Sequence, residues 1–282
     1  KKNQDLYLAS QKNPKRELVE SKLNDRPKTA NPEVVHDMRV ATRRLRAAIK
    51  IFKAILPVKA KKIGEELEKM GRVLGKKRDL DVFSEFISHT IHAKSPALQK
   101  LARQIDRSQN KIRQVLKSKS NKRFLKTIEK LEAETTKQNI LKASRKWIRN
   151  KLKKVLKIAF SMDSKVDDNS LHKLRIALKM LRYTCEFFEP LFSKYICSLG
   201  SFIEKTTKLQ DILGDHQDAI KGISILNRYK NKFSDEEILQ ITNKYESKKM
   251  RNRKLFFKIW KDYWYGKGFH SSCPTTAIEL IL

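Results

Sequence analysis

An all-α fold is predicted by three features of this sequence: a helical period in its apolar positions, sparse turn punctuation, and an internal repeat of a helix-like segment. Only 8 Gly and 7 Pro are spread over 282 residues, so few positions favour a tight turn. The helical period dominates instead.

The elements follow in order. Asn31-Pro32 has the form of an N-cap followed by proline in the first turn, and Pro57 is expected to end that helix. Further helices are expected at 58–75, 78–92, 96–117, 121–135 and 138–161, the third opened by Ser95-Pro96. Asn169-Ser170 opens a helix at 171–190, followed by others at 194–213, 216–230 and 234–264. The last begins with "SDEE", in which Ser234 and Glu237 have capping-box spacing.

The repeat comes in two ordered blocks. "VHDMRVATRRLRAAIKIF" (35–52) aligns without gaps on "LHKLRIALKMLRYTCEFF" (171–188). His36 falls on His172, Arg39 on Arg175, Arg43 on Lys179, Leu45 on Leu181 and Arg46 on Arg182. "VLGKKRDLDVF" (73–83) then aligns on "ILGDHQDAIKG" (212–222), matching Leu74-Gly75 with Leu213-Gly214 and Asp79 with Asp218. This predicts an N-terminal helical half (1–161), a polar linker (162–170, "MDSKVDDNS"), a C-terminal half (171–265) and a tail (266–282). Such a duplication is expected to pack as a pseudo-two-fold pair of bundles.

Charge narrows the function. Lys and Arg number 64 against 31 Asp and Glu, a net charge of +33, in a chain that is 39% hydrophobic and 34% charged. That is apolar enough for a core, yet so large an excess repels itself and implies a polyanionic partner. Nucleic acid, an anionic membrane and polyphosphate all satisfy composition alone. No run approaches the roughly 20 apolar residues that span a bilayer, and no membrane partner is expected. Cys185, Cys197 and Cys273 form no C-x-x-C pair, which suits a reducing cytoplasm better than a disulfide framework.

On a helix advancing about 100° per residue, Met38, Ala41, Leu45, Ala48, Ile49 and Phe52 gather on one side. His36, Arg39, Arg43, Arg46 and Lys50 stack on the other. In the second copy Leu174, Ala177, Leu181, Cys185 and Phe188 oppose His172, Arg175, Lys179 and Arg182. A solvated polar face is the ordinary explanation of any one such stripe. These two are nearly free of acids, their like charges one turn apart destabilise the helix, and they recur with histidine at the same place. That favours a binding surface. Arginine's planar fork makes bidentate bonds to phosphate oxygens, and both histidines lie near helix N-termini, where the dipole favours anions. Arg72, Lys76, Lys77, Arg78, Lys205 and Lys208 are weaker candidates for extending the surface. Gly75 and Gly214 are expected at tight crossings or turns, with Asp79 and Asp218 capping or pairing with arginine.

These segments resemble the CHAD family, the conserved histidine alpha-helical domains. "VHDMRVATRRLRAAIKIF" with "LGKKRDLDVF", then "LHKLRIALKMLRY" with "KLQDILGDHQDA", follow the family order from about residue 30 to about 265. The resemblance implies two helical bundles around a basic groove or pore that binds inorganic polyphosphate without catalysis. It places the site at His36, Arg39, Arg43, Arg46, His172, Arg175, Lys179 and Arg182. A compatible further reading makes the protein a scaffold that recruits partners to a polyphosphate body. No acidic-tunnel pattern of a fused hydrolase is present, so the stand-alone form is expected. Lys179-Met180 and His216-Gln217 depart from the family pattern, and "SSCPTTAIELIL" matches nothing in it.

Other chemistries are disfavoured. The stripe histidines sit among arginines that oppose a cation, and no H-E-x-x-H occurs, so no metal site is expected. There is no Walker A loop, no G-x-S-x-G and no kinase signature; neither catalytic residues nor a cofactor are expected. Asp79, Asp81, Asp211 and Asp218 form no evident metal-binding set. Non-specific nucleic-acid binding on the same basic surface is the alternative. Specific single-strand binding needs aromatic platforms beside the charge; most aromatics here fall on apolar faces, Tyr183 excepted.

Overall fold

The computed structural model describes residues 32–53, 56–57, 59–92, 95–118, 126–128, 140–162, 166–192 and 199–265. Seven helices of 20 to 31 residues account for most of them: α1 (Pro32–Ile51), α2 (Lys59–Ser88), α3 (Pro96–Lys117), α4 (Ile140–Phe160), α5 (Asp168–Phe192), α6 (Leu199–Tyr229) and α7 (Asp235–Tyr265). A 3₁₀ turn, Lys230–Lys232, links the last two. The described residues contain no strand, and the all-α expectation holds.

Local signals set several boundaries. Ser95 caps α3, its Oγ accepting from the Ala97 N–H at 3.2 Å with Pro96 in the first turn. Ser234 and Glu237 form the expected reciprocal box, at 2.9 and 3.2 Å. Asn31, most of the expected helix at 121–135 and the tail at 266–282 lie outside the described residues.

Four expectations need correction. The breaks placed at 75–78 and 213–216 do not exist: α2 and α6 run straight through Gly75 and Gly214. One interior glycine costs about 1 kcal/mol, far less than the helices gain by burying Leu74, Phe83 and Ile87, or Leu209, Leu213 and Ala219. α5 starts at Asp168, inside the stretch taken as linker, because the Asp167 carboxylate accepts from the Ser170 N–H at 2.9 Å. α1 stops at Ile51, short of Pro57; Phe52 then sits edge-on to Trp147 and Phe188, with centroids 5.8 and 5.6 Å away.

Neighbours in sequence pack together: α1 on α2 and α2 on α3 in the first half, α5 on α6 and α6 on α7 in the second, while α4, the last helix of the first half, packs on α5 of the second. Across the middle, like meets like, since α1 touches α5 and α2 touches α6. The largest core is built by α4 to α7 around Leu178, Leu181, Cys185 and Phe256. A second is shared between the halves, with Phe83 and Ile87 of α2 and Leu101 of α3 against Leu226 and Tyr245. Two ion pairs clasp the halves: Arg44 to Glu186 at 2.7 Å and Lys221 to Asp79 at 3.0 Å. Asp79 therefore answers a lysine of the other half.

Repeat-equivalent positions are not interchangeable. Gly222 aligns with Phe83, and a Cβ there would lie 2.2 Å from the Tyr245 Cζ. The Tyr245 ring occupies that space, stacked on Phe86 at 3.8 Å. Burial pushes its phenol well above the ordinary tyrosine range. Around the start of α5, Asp168 gathers His216 at 3.3 Å, Arg253 at 3.6 Å and Lys249 at 3.8 Å, tying α6 and α7 to that helix end.

Candidate functional site

The contact between α1 and α5 brings the two basic stripes face to face. Equivalent positions confront each other: Arg39 acts on Arg175, Arg43 on Lys179, and Phe52 closes the row against Phe188. The apolar sides expected from the sequence explain this. Leu174, Ala177, Leu181, Cys185 and Phe188 are all buried. On α1 the buried set is Val35, Met38, Thr42, Ala47, Ile49 and Ile51, a wider arc than expected, because α1 is flanked by both α2 and α5. The basic heads of its middle are thus half-buried, whereas His36 and Lys50 at its ends are exposed.

Five cations, Arg39, Arg43, Arg175, Lys179 and Arg182, converge here. Desolvation pulls the Lys179 amine down to about 7, and Arg43, Arg175, Arg39 and Arg182 pull the same way. Burial also lowers Arg43 and Arg175; Tyr183 opposes it at the first, Asp218 at the second. The buried Nε atoms of Arg43 and Arg175, and the His172 Nδ1, find no hydrogen-bond partner among the described residues. His36, although largely exposed, is lowered as well, by the desolvation it keeps at the helix end and by Arg78, Arg43 and Arg39, against Asp37. Charge is concentrated here and only partly answered.

The acids present are at the margin. Glu186 takes Arg44 and lies 3.4 Å from the Arg182 Nε. Asp211 and Asp218 on α6 reach Arg175 electrostatically. Partial burial holds the Asp211 carboxyl above its ordinary range against the pull of Arg182 and Arg175. Gly214 sits under Arg175, a Cβ there lying 3.6 Å from Nη2, so the guanidinium rests on bare α6 backbone. A Cβ added at Gly75 would meet nothing within 4 Å, so it makes no tight crossing.

The remaining candidates divide. Arg46 leans towards α2, 3.4 Å from Glu68, which also holds Arg72 at 3.0 Å. Lys77 is 1% exposed and bonded to Asp81, which removes it from any ligand surface. Arg78 lies beside His36, Lys76 and Lys208 are exposed, and the Lys205 Nζ sits 5.7 Å from the Tyr263 ring centroid. Tyr183, singled out in the sequence, is buried beneath the row, with the Arg182 guanidinium 5.0 Å from its ring. The lysines of α4 were missed, although "ILKASRKWIRNKLKKVLKIAF" contains no acid at all.

The desolvated Lys179 has a measurable consequence for stability. Its folded value near 7 lies below the ordinary 10.5. Between those values the unfolded chain binds a proton that the folded chain does not, so this group's contribution to stability rises with pH across the window. Below pH 7 the folded state carries the whole cost of the buried charge. Lys179→Met is expected to stabilise the fold by roughly 1–4 kcal/mol at pH 6, with the gain shrinking towards pH 10. Thermal melts at several pH values check this; an equal gain at every pH would mean that packing rather than charge is responsible.

Fold and site together define a paired-repeat, all-helical protein whose basic stripes meet between the repeats. The sequence profile of the CHAD domain matches residues 19–223, and the chain belongs to the CHAD family. Its fold is similar to the crystal structure of the CHAD domain from the plant Ricinus communis, with a TM-score of 0.62 and 22% identity over 93% of this chain and 86% of that one. Comparison with curated proteins gives no match. No helix among the described residues is long and apolar enough to cross a membrane.

Proposed function

We propose that this chain binds inorganic polyphosphate between α1 and α5, without catalysing a reaction on it, and that this binding associates it with polyphosphate bodies in the cytoplasm. One observation carries the reading. Lys179 stands desolvated among Arg39, Arg43, Arg175 and Arg182, in a row drawn from equivalent positions of both repeats. An array of this kind destabilises the empty protein and becomes favourable once a linear polyanion lies along it. Bidentate guanidinium contacts read phosphate density and no base edge. Arg46 and Arg72, held by Glu68, contribute less.

The test is a competition at physiological salt, in which labelled long-chain polyphosphate is displaced by unlabelled polyphosphate or by single-stranded DNA of equal total charge. Poor competition by DNA supports the reading. Equal competition makes the +33 charge a diffuse attraction and favours the nucleic-acid alternative.

A pH dependence follows from the same groups. A bound polyanion raises the values of Lys179 and His36, both lowered by desolvation and neighbouring cations, so binding takes up protons. Affinity is therefore expected to rise as pH falls from about 8 through 7, where Lys179 titrates, and on below 6.5 as His36 follows. Calorimetry in buffers of different ionisation enthalpy measures the uptake directly. Proton release, or none, would remove both groups from the site.

A further inference from the structure

The geometry points to a second binding site, in the cleft where the end of α1 meets α4, that takes a nucleoside phosphate, with its base against Trp147 and its phosphates on Lys50, Lys53 and Lys151. The cleft has a volume of about 410 Å³ and is lined by those four residues and Ile51. That lies within the range of roughly 300–1,000 Å³ common to small-molecule sites.

Two independent features set it apart from the row between the repeats. The first is the charge at the cleft itself. α4 has eight Lys or Arg and no acid, and burial together with Lys154 and Lys50 lowers the Lys151 amine. Lys50, Lys53, Lys151 and Lys154 pair with no acid of the described residues. Like charges converging beside a hollow call for an anion there.

The second feature is an apolar wall. Trp147 is fixed by Phe52 edge-on at 5.8 Å and by Phe188 stacked at 5.5 Å, and what remains of its surface lines the cleft with Ile51. A bare phosphate chain has nothing to gain from an indole. A purine or pyrimidine does, because every base offers a π-face for stacking. Nucleotide binding is thereby placed apart from the α1–α5 row, although Lys50 stands at the end of the α1 stripe and borders both.

The experiment uses the full chain at physiological salt, titrated with ATP, oligoadenylate and inorganic tripolyphosphate while tryptophan fluorescence is followed. ATP or oligoadenylate is expected to quench Trp147 and tripolyphosphate to leave it unchanged; whichever adenylate binds more tightly per nucleotide is the form the cleft takes. Trp147→Leu should weaken adenylate binding at least tenfold with no change in long-chain polyphosphate affinity. Lys53→Gln with Lys151→Gln should do the same while leaving the aromatic packing intact, so the inference stays testable if the tryptophan variant fails to fold. Equal quenching by tripolyphosphate, or adenylate affinity unchanged in the lysine variant, overturns it. The polyphosphate reading is tested separately, since substitutions of Arg39 and Arg175 should leave quenching by adenylate in place.

Discussion

Replacing Arg39 and Arg175 together with glutamate is expected to weaken long-chain polyphosphate binding by at least ~100-fold at physiological salt. The two residues occupy equivalent positions of the repeats and face each other across the α1–α5 contact. Removing one charge-assisted contact costs roughly 1–3 kcal/mol when the head is desolvated. Arg175 is desolvated and carries a buried Nε with no partner. Reversal adds repulsion of the phosphates to the loss of two contacts. The fold should survive, because the change reduces like-charge crowding around Lys179. Unchanged affinity, read beside an unchanged thermal melt, would place the ligand elsewhere on the protein.

Gly222→Ala carries the largest expected loss of stability. The added Cβ would lie 2.2 Å from the Cζ, 2.5 Å from the Cε1 and 2.6 Å from the Oη of Tyr245. That ring cannot swing away, since it is stacked on Phe86 at 3.8 Å and is 2% exposed. Forcing it to move costs about 1–3 kcal/mol, a fall in melting temperature of roughly 2–10 °C for a chain of this size. Gly75→Ala is the control: nothing lies within 4 Å of its Cβ, and alanine should be neutral or stabilise the helix by up to about 1 kcal/mol. A Gly222→Ala protein melting with wild type would show that α6 and α7 are free to separate at that point.

The contrast between these glycines shows where the sequence could be read. Gly75 stands in a repeated motif and Gly222 merely ends the second block, yet only tertiary contact reveals that Gly222 admits a tyrosine from α7 and that a side chain at Gly75 would meet nothing. The helices themselves were legible because apolar spacing and local caps such as Ser234 with Glu237 act within a few residues. The breaks placed at Gly75 and Gly214 failed because a long buried face outweighs one weak helix former. At the site, the stripes could be read from period and repetition. Glu68 drawing Arg46 aside could not, because that partner lies on a neighbouring helix. The burial of Lys77 was equally hidden, since it depends on how α2 is covered. Of the lysines beside Trp147, Lys50 was legible as the end of the α1 stripe, whereas Lys53 and Lys151 were not, because Lys53 lies past the stripe and α4 belongs to neither repeated block.

The crowded cations around Lys179 also bear on how long the protein lasts. The core beneath them, Leu178, Leu181 and Cys185, holds the row together against its own repulsion. A polyanion that settles along the row adds its binding free energy to the folded state alone, and fewer molecules open to proteases at any moment. Turnover of the chain would then follow the supply of its ligand: abundant while the anion is stored, and cleared as the store is spent.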